Sequence, residues 1–135
     1  SLIVKPLEAK LDRNTDTFSK MVAASAYGDP YVLITVGSET KKTSVAKGHG
    51  KNPVWHDILR FAGKSELLRI VVKDEDVVSD DLVAEGTFNI SGAFVNPGFQ
   101  RHVKKAIYAV PVELQYKGKA AGKILLTVEF QNLGW

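Results

Sequence analysis

Six carboxylates crowd into residues 74–85 of this chain (DEDVVSDDLVAE) with no basic residue among them: Asp74, Glu75, Asp76, Asp80, Asp81 and Glu85. Asp74 and Asp76 are separated by one residue, and Asp80 and Asp81 follow directly after Ser79. Calcium takes about six to eight hard oxygen ligands, best supplied by several carboxylates on a flexible loop. Carboxylates this close repel one another unless a cation or bulk water intervenes. Two readings follow, a calcium site or a solvated acidic loop. The spacing does not match the calcium loop of the helix–loop–helix type.

The opposite pole is the segment 41–51 (KKTSVAKGHGK), where Lys41, Lys42, Lys47 and Lys51 stand without an acidic neighbour. The formal net charge of +3 conceals this segregation. The acidic segment holds -6, and outside it 18 basic residues against 9 acidic ones leave +9. Basic residues near an anionic leaflet gain about 1 kcal/mol each, so the lysines are candidates for phosphoinositide or phosphatidylserine headgroups. A solvated face is the alternative. Nucleic-acid binding would need aromatic residues interleaved with the basic ones, and 41–51 has none.

Apolar residues accompany both candidate regions. Val77 and Val78 sit in the middle of the acidic segment, and Phe18, Met21 and Val22 lie in the long stretch before Asp29. Apolar tips beside a cation site could insert shallowly into an anionic membrane once the cation had cancelled the local negative charge. For Phe18 and Met21, packing on the core is the competing role, whereas Val77 and Val78 are expected to be exposed.

These residues need a scaffold. The chain has 135 residues, 44% hydrophobic, which suits one domain over 1–135 with a real core. No apolar run approaches the roughly 20 residues of a membrane-spanning helix. The absence of cysteine excludes disulfide frameworks, thiolate zinc sites and thiol nucleophiles. His49, His56 and His102 are scattered and complete no nucleophile motif, and the segment 37–43 has Lys42 where a phosphate loop needs its second glycine. A non-enzymatic protein is expected. The chain opens on Ser1 with neither a basic-then-apolar leader nor a lipidation signature, as expected of an excised domain that is cytoplasmic and peripheral at membranes.

The periodicity is that of strands. Residues 31–36 (YVLITV), 55–61 (WHDILRF), 67–73 (LLRIVVK) and 123–130 (KILLTVEF) are the clear runs. Weaker candidates are 2–11, 42–47, 83–90 and 108–115, and Pro6 and Pro111 call for an edge or a bulge. The stretch 99–107 (FQRHVKKAI) reads as a short helix. About eight short strands between turn-rich stretches predict an all-β fold, an eight-stranded antiparallel β-sandwich.

In order, DPYVLITV, KTSVAK, NPVWHD, LLRIVVKDED, DDLVAEG and GKILLTVEF resemble the C2 domain family of calcium- and phospholipid-binding modules. The likeness runs over nearly the whole chain. The strand order looks like the permuted form found in phospholipases and in small plant proteins with a single C2 domain. The resemblance implies calcium held between two loops at one end of the sandwich. By motif, Asp29 would be the first-loop ligand, Asp74 and Asp76 the paired third-loop ligands, and Glu75 a backbone-carbonyl ligand. Asp81, or Asp80 in its place, would be the last. The family's other first-loop aspartate is here Ala23, so Asp16 or Asp12 is expected to complete the site, and weak binding of one ion is expected. The alternative is a calcium-independent protein-interaction module with a degenerate site.

Overall fold

The computed structural model describes residues 2–12, 28–63, 65–90 and 105–131, with backbone alone at 105–108 and 130–131. Among the described residues eight strands form: β1 (Leu2–Leu11), β2 (Pro30–Val36), β3 (Glu39–Lys42), β4 (Leu59–Phe61), β5 (Leu67–Asp74), β6 (Asp81–Asn89), β7 (Lys105–Tyr116) and β8 (Lys119–Gln131). Their order is β3-β2-β5-β6-β7-β8-β1-β4, with every paired neighbour antiparallel.

Between β6 and β7 the ladder has a single register pair, Glu85 opposite Gln115. This thin hinge divides the strands into two four-stranded layers, and the alternation of side chains decides what lies between them. In β5, Leu68, Ile70 and Val72 point inward while Arg69 is exposed. β2 buries Val32, Ile34 and Val36 against the same interior. The opposite layer contributes Val4, Leu114, Ile124 and Leu126 to one continuous core, where each fully buried aliphatic contributes roughly 1.5–3 kcal/mol. On the far side the free edges β3 and β4 meet. Glu39 Oε1 accepts the amides of Ala62 and Gly63 at 2.9 and 2.7 Å, and Lys41 Nζ lies 5.6 Å from the Phe61 ring centre. The result is the expected β-sandwich.

Two glycines fix the path. A two-residue turn at Gly37 (φ 61°) and Ser38 brings Val36 opposite Glu39, so β3 starts at once, earlier than the 42–47 strand expected from sequence. Gly122 has φ 135°, and a Cβ there would lie 2.2 Å from the Lys10 carbonyl oxygen, so β8 crosses β1 where no side chain fits. The prolines behave as the sequence suggests. The β1–β8 register slips between Pro6 and Glu8, and Pro111 lies in β7, whose β6 side is largely unpaired.

Two other expectations are corrected. The strand read at 55–61 contracts to Leu59–Phe61; upstream the register against β1 shifts past Pro6, and the chain is held there by the Val54–Glu8 bridge and by the Trp55 amide donating to the Leu7 carbonyl at 2.9 Å. The helix read at 99–107 fails over its last residues. Lys105, Ala106 and Ile107 pair with Gln131, Phe130 and Glu129, so long-range pairing overrides local helical preference there. Residues 99–104 lie outside the described residues.

Candidate metal and membrane site

At one end of the sandwich β2 begins, β5 ends and β6 begins. Antiparallel pairing sets Pro30 opposite Asp74 and Asp74 opposite Asp81. Asp74 is buried, and its Oδ1 accepts the Asp29 amide at 2.7 Å. The Glu75 amide in turn donates to the Asp29 carbonyl oxygen at 3.0 Å. These bonds tie the start of β2 to the acidic loop. Directly opposed Asp74 and Asp81 share one face of the ladder, where like charges repel and a cation offsets the cost. The donors are hard oxygens, the chemistry calcium prefers. Among the described residues, however, no three acidic, histidine or cysteine side chains gather into a group that could hold a metal ion.

Asp80 is committed elsewhere. The Tyr31 hydroxyl donates to its Oδ2 at 2.5 Å, and the Asp76 amide donates to its Oδ1 at 3.2 Å. The hydrogen bond from Tyr31, then that from Asp76, hold the Asp80 carboxyl below the usual carboxylate range, with Lys73 and Lys42 adding to the effect. Burial first, and the bond to Asp80 second, push the Tyr31 phenol up to about 12. The Asp76 carboxylate accepts the Val77 amide at 2.6 Å, closing the tip of the loop. Beyond it Val77 and Val78 are 100% and 92% exposed, with nothing among the described residues to cover them.

The basic segment comes to this same end. The Gly48 amide donates to Asp29 Oδ1 at 2.7 Å, the Gly50 amide to the Gly28 carbonyl at 3.0 Å, and the Ala46 amide to the Pro30 carbonyl at 2.8 Å. The two charge poles, separate in sequence, therefore share one end of the fold, with Lys47 carried on the loop that binds Asp29.

The family model for the C2 domain matches residues 1–106. The chain belongs to the C2 domain family. Elicitor-responsive protein 3 of Oryza sativa subsp. japonica is 27% identical over 124 residues, covering 90% of this chain and 78% of that protein. Among solved structures, a C2 domain of a plant extended synaptotagmin 1 superposes with a TM-score of 0.72 at 21% identity, covering 96% of this chain and 93% of the other. A C2 domain-containing protein from a putative elicitor-responsive gene gives 0.67 at 24% identity, with coverages of 97% and 88%. These neighbours share the fold.

Within this C2 domain the residues named from sequence divide into groups. Asp29, Asp74, Glu75, Asp76, Asp80 and Asp81 all lie at the same end, but Asp80 belongs to Tyr31 whereas Asp81 is the cross-strand neighbour of Asp74. The four lysines do not form one patch. Lys42 lies 5.9 Å from the Tyr31 ring centre, whereas Lys41, its neighbour on a strand, turns to Phe61 at the closing edge. Lys47 and Lys51 are exposed on the loop between β3 and β4. Asp12 is exposed just past β1, its amide donating to the Ala121 carbonyl at 2.9 Å. Asp16, Phe18, Met21, Val22 and Ala23 lie outside the described residues. Sequence reasoning gave Tyr31 no role, although its place beside the Asp29–Pro30 pair at the start of a strand was the available signal. Gly48 carried no side-chain signal at all, since it acts through its amide.

Proposed function

We propose that this C2 domain is a non-catalytic module that binds anionic phospholipid membranes in response to calcium. The observation that carries the reading is the exposure of Val77 and Val78, 100% and 92%, at the tip of a loop whose base holds Asp74 and Asp81 on one face. Nothing in the fold is gained by presenting two branched aliphatic side chains to water, whereas shallow burial in a membrane removes that area from water. Asp29, Asp74, Asp76 and Asp81 are the side chains that would hold calcium, with Glu75 offering its main-chain carbonyl. Bound calcium supplies positive charge that offsets the acidic loop and draws lipid phosphate. The residues themselves do the rest. The Asp29–Asp74 bond fixes the loop base, the valines enter the headgroup boundary, and Lys42 and Lys47 attract anionic lipid from the same end.

A second reading, a calcium-independent protein-interaction module, draws on the engagement of Asp80 by Tyr31 and on the absence of three gathered acidic groups among the described residues. Co-sedimentation with phosphatidylserine vesicles separates the two. The first reading requires pelleting in calcium and release in chelator. Equal behaviour under both conditions contradicts it.

A further inference from the structure

We propose that Ser44 is a phosphorylation site for a protein kinase that selects basic sequences. The phosphate unlatches the start of the loop between β3 and β4 and offsets its positive charge. The site and the unlatching stand apart from the membrane reading above, whereas the effect on lipid binding rests on it.

The chain offers one hydroxyl with the right flank. Kinases of this type hold Lys or Arg two and three residues before the acceptor in acidic subsites, so charge pattern sets the choice of substrate. Ser44 has Lys42 and Lys41 at those positions, and no other serine or threonine of the sequence has basic residues at both. Lys41 and Lys42 are exposed at the end of β3, an end strand in the ladder order, so the flank is presented in extended form. The fold then separates Ser44 from its neighbour. Thr43 is buried; its hydroxyl donates to the Ser44 carbonyl at 2.8 Å and accepts the Val32 amide at 3.0 Å. The Thr43 amide donates to the Val32 carbonyl at 2.9 Å, which pins the residue further. Ser44 is exposed, and its hydroxyl donates to Asp57 Oδ1 at 2.9 Å at the surface, where water can take over either end of the bond.

In the transfer, Ser44 Oγ attacks the γ-phosphorus of ATP. The Oγ–P bond forms as the bond from that phosphorus to the bridging oxygen breaks, ADP leaves, and the hydroxyl proton passes to the carboxylate base of the kinase. The product turns a donor into an acceptor. Asp57 Oδ2 also accepts the Ser44 amide, at 3.0 Å, so this one carboxylate ties the end of β3 to the chain just before β4. A phosphate carries about -1.5 to -2 charge, and beside Asp57 it repels the carboxylate and breaks the tie. The loop that starts there carries Lys47 and reaches Asp29 through the Gly48 amide. The same charge offsets about two of the four lysines of 41–51, the arrangement by which phosphorylation releases a basic segment from an anionic surface.

The test incubates the whole chain with ATP and the catalytic subunit of cyclic-AMP-dependent protein kinase, a basic-directed enzyme, and maps the phosphate by mass spectrometry. Phosphate is expected at Ser44 and lost in Ser44→Ala. With Lys41 and Lys42 both replaced by alanine, uptake is expected to slow roughly tenfold. No incorporation, equal incorporation at another residue, or indifference to the two lysines overturns the site. Hydrogen exchange on the purified phosphorylated chain reads the loop. The Ser44 amide is expected to exchange roughly fivefold faster while the β5 amides keep their rates. Asp57→Asn, which weakens the tie without phosphate, is expected to move the Ser44 amide in the same direction. Unchanged exchange at Ser44 refutes the unlatching. Partition of the phosphorylated chain onto phosphatidylserine vesicles at saturating calcium is expected to fall roughly 10- to 30-fold, the worth of about two lysines. Equal partition with and without phosphate refutes the effect on lipid. If the unmodified chain does not bind these vesicles, the membrane reading fails and the lipid effect with it, while the mapped phosphate still decides the site.

Discussion

Replacing Val77 and Val78 together by alanine separates membrane insertion from folding more cleanly than any other change at this end. Both side chains are almost wholly exposed, 100% and 92%, so the folded protein loses no contact when their γ-methyl groups are removed. Surface changes of this kind shift stability by no more than about 0.5 kcal/mol. Membrane affinity is a different matter. At about 0.8 kcal/mol per buried methylene equivalent, each truncation forfeits about 1.6 kcal/mol if the side chain inserts fully, and the pair about 3.2 kcal/mol. That corresponds to a roughly 200-fold weaker partition, or roughly 15-fold if insertion is half complete. The assay is partition onto vesicles of phosphatidylserine and phosphatidylcholine at saturating calcium, with thermal melting in parallel. A loss of roughly 15- to 200-fold at unchanged melting temperature is the expected outcome. Partition equal to the parent's refutes the insertion argument, and a loss matched by a fall in melting temperature refutes the claim that these side chains do nothing for the fold.

Other consequences can be checked on the isolated chain. Gly122→Ala is expected to destabilise by about 3 kcal/mol in chemical denaturation, because its Cβ would meet the Lys10 carbonyl at 2.2 Å, whereas Gly48→Ala, with nothing within 4 Å, is expected to cost only about 1 kcal/mol for its positive φ. Lys117 occupies a left-handed conformation (φ 50°) beside Gly118 in the β7–β8 hairpin, so Lys117→Asn is expected to raise the urea midpoint by about 0.5–1 kcal/mol equivalent, with an unchanged slope. The Tyr31 phenol, raised in the folded state from about 10 to about 12, contributes stability that is complete below pH 10 and lost as pH rises through 12. Ultraviolet titration should show the Tyr31 phenol ionising late, and Tyr31→Phe should remove that step.

The sequence made most of the sandwich readable because its core strands carry strong, uninterrupted patterns. The runs 31–36 and 67–73 reappear as β2 and β5, with inward residues at alternate positions. Even the weaker stretch 2–11 is β1 entire. The misread segments depend on distant partners. β4 is short because its register against β1 shifts past Pro6, and Lys105 to Ile107 extend because β8 is there to pair with them. At the candidate site the acidic segment and its exposed valines were visible as composition. What spacing could not show was the division of labour between Asp80 and Asp81. That depends on the β5–β6 register, which contains a bulge after Val72, and on a tyrosine hydroxyl 49 residues away in sequence. The approach of the lysine-rich loop was equally hidden, since its link to Asp29 runs through the main-chain amide of a glycine.

The central claim is that the end of the sandwich where β2 meets β5 and β6 is a calcium site. A crystal of this chain soaked in calcium, with anomalous scattering measured, tests it most directly. The account predicts a peak between Asp29 and Asp74 with oxygen ligands at about 2.4 Å that include Asp81. No peak at that position, with the Asp29 amide still bound to Asp74 and the Asp74–Asp81 face free of metal, would contradict it.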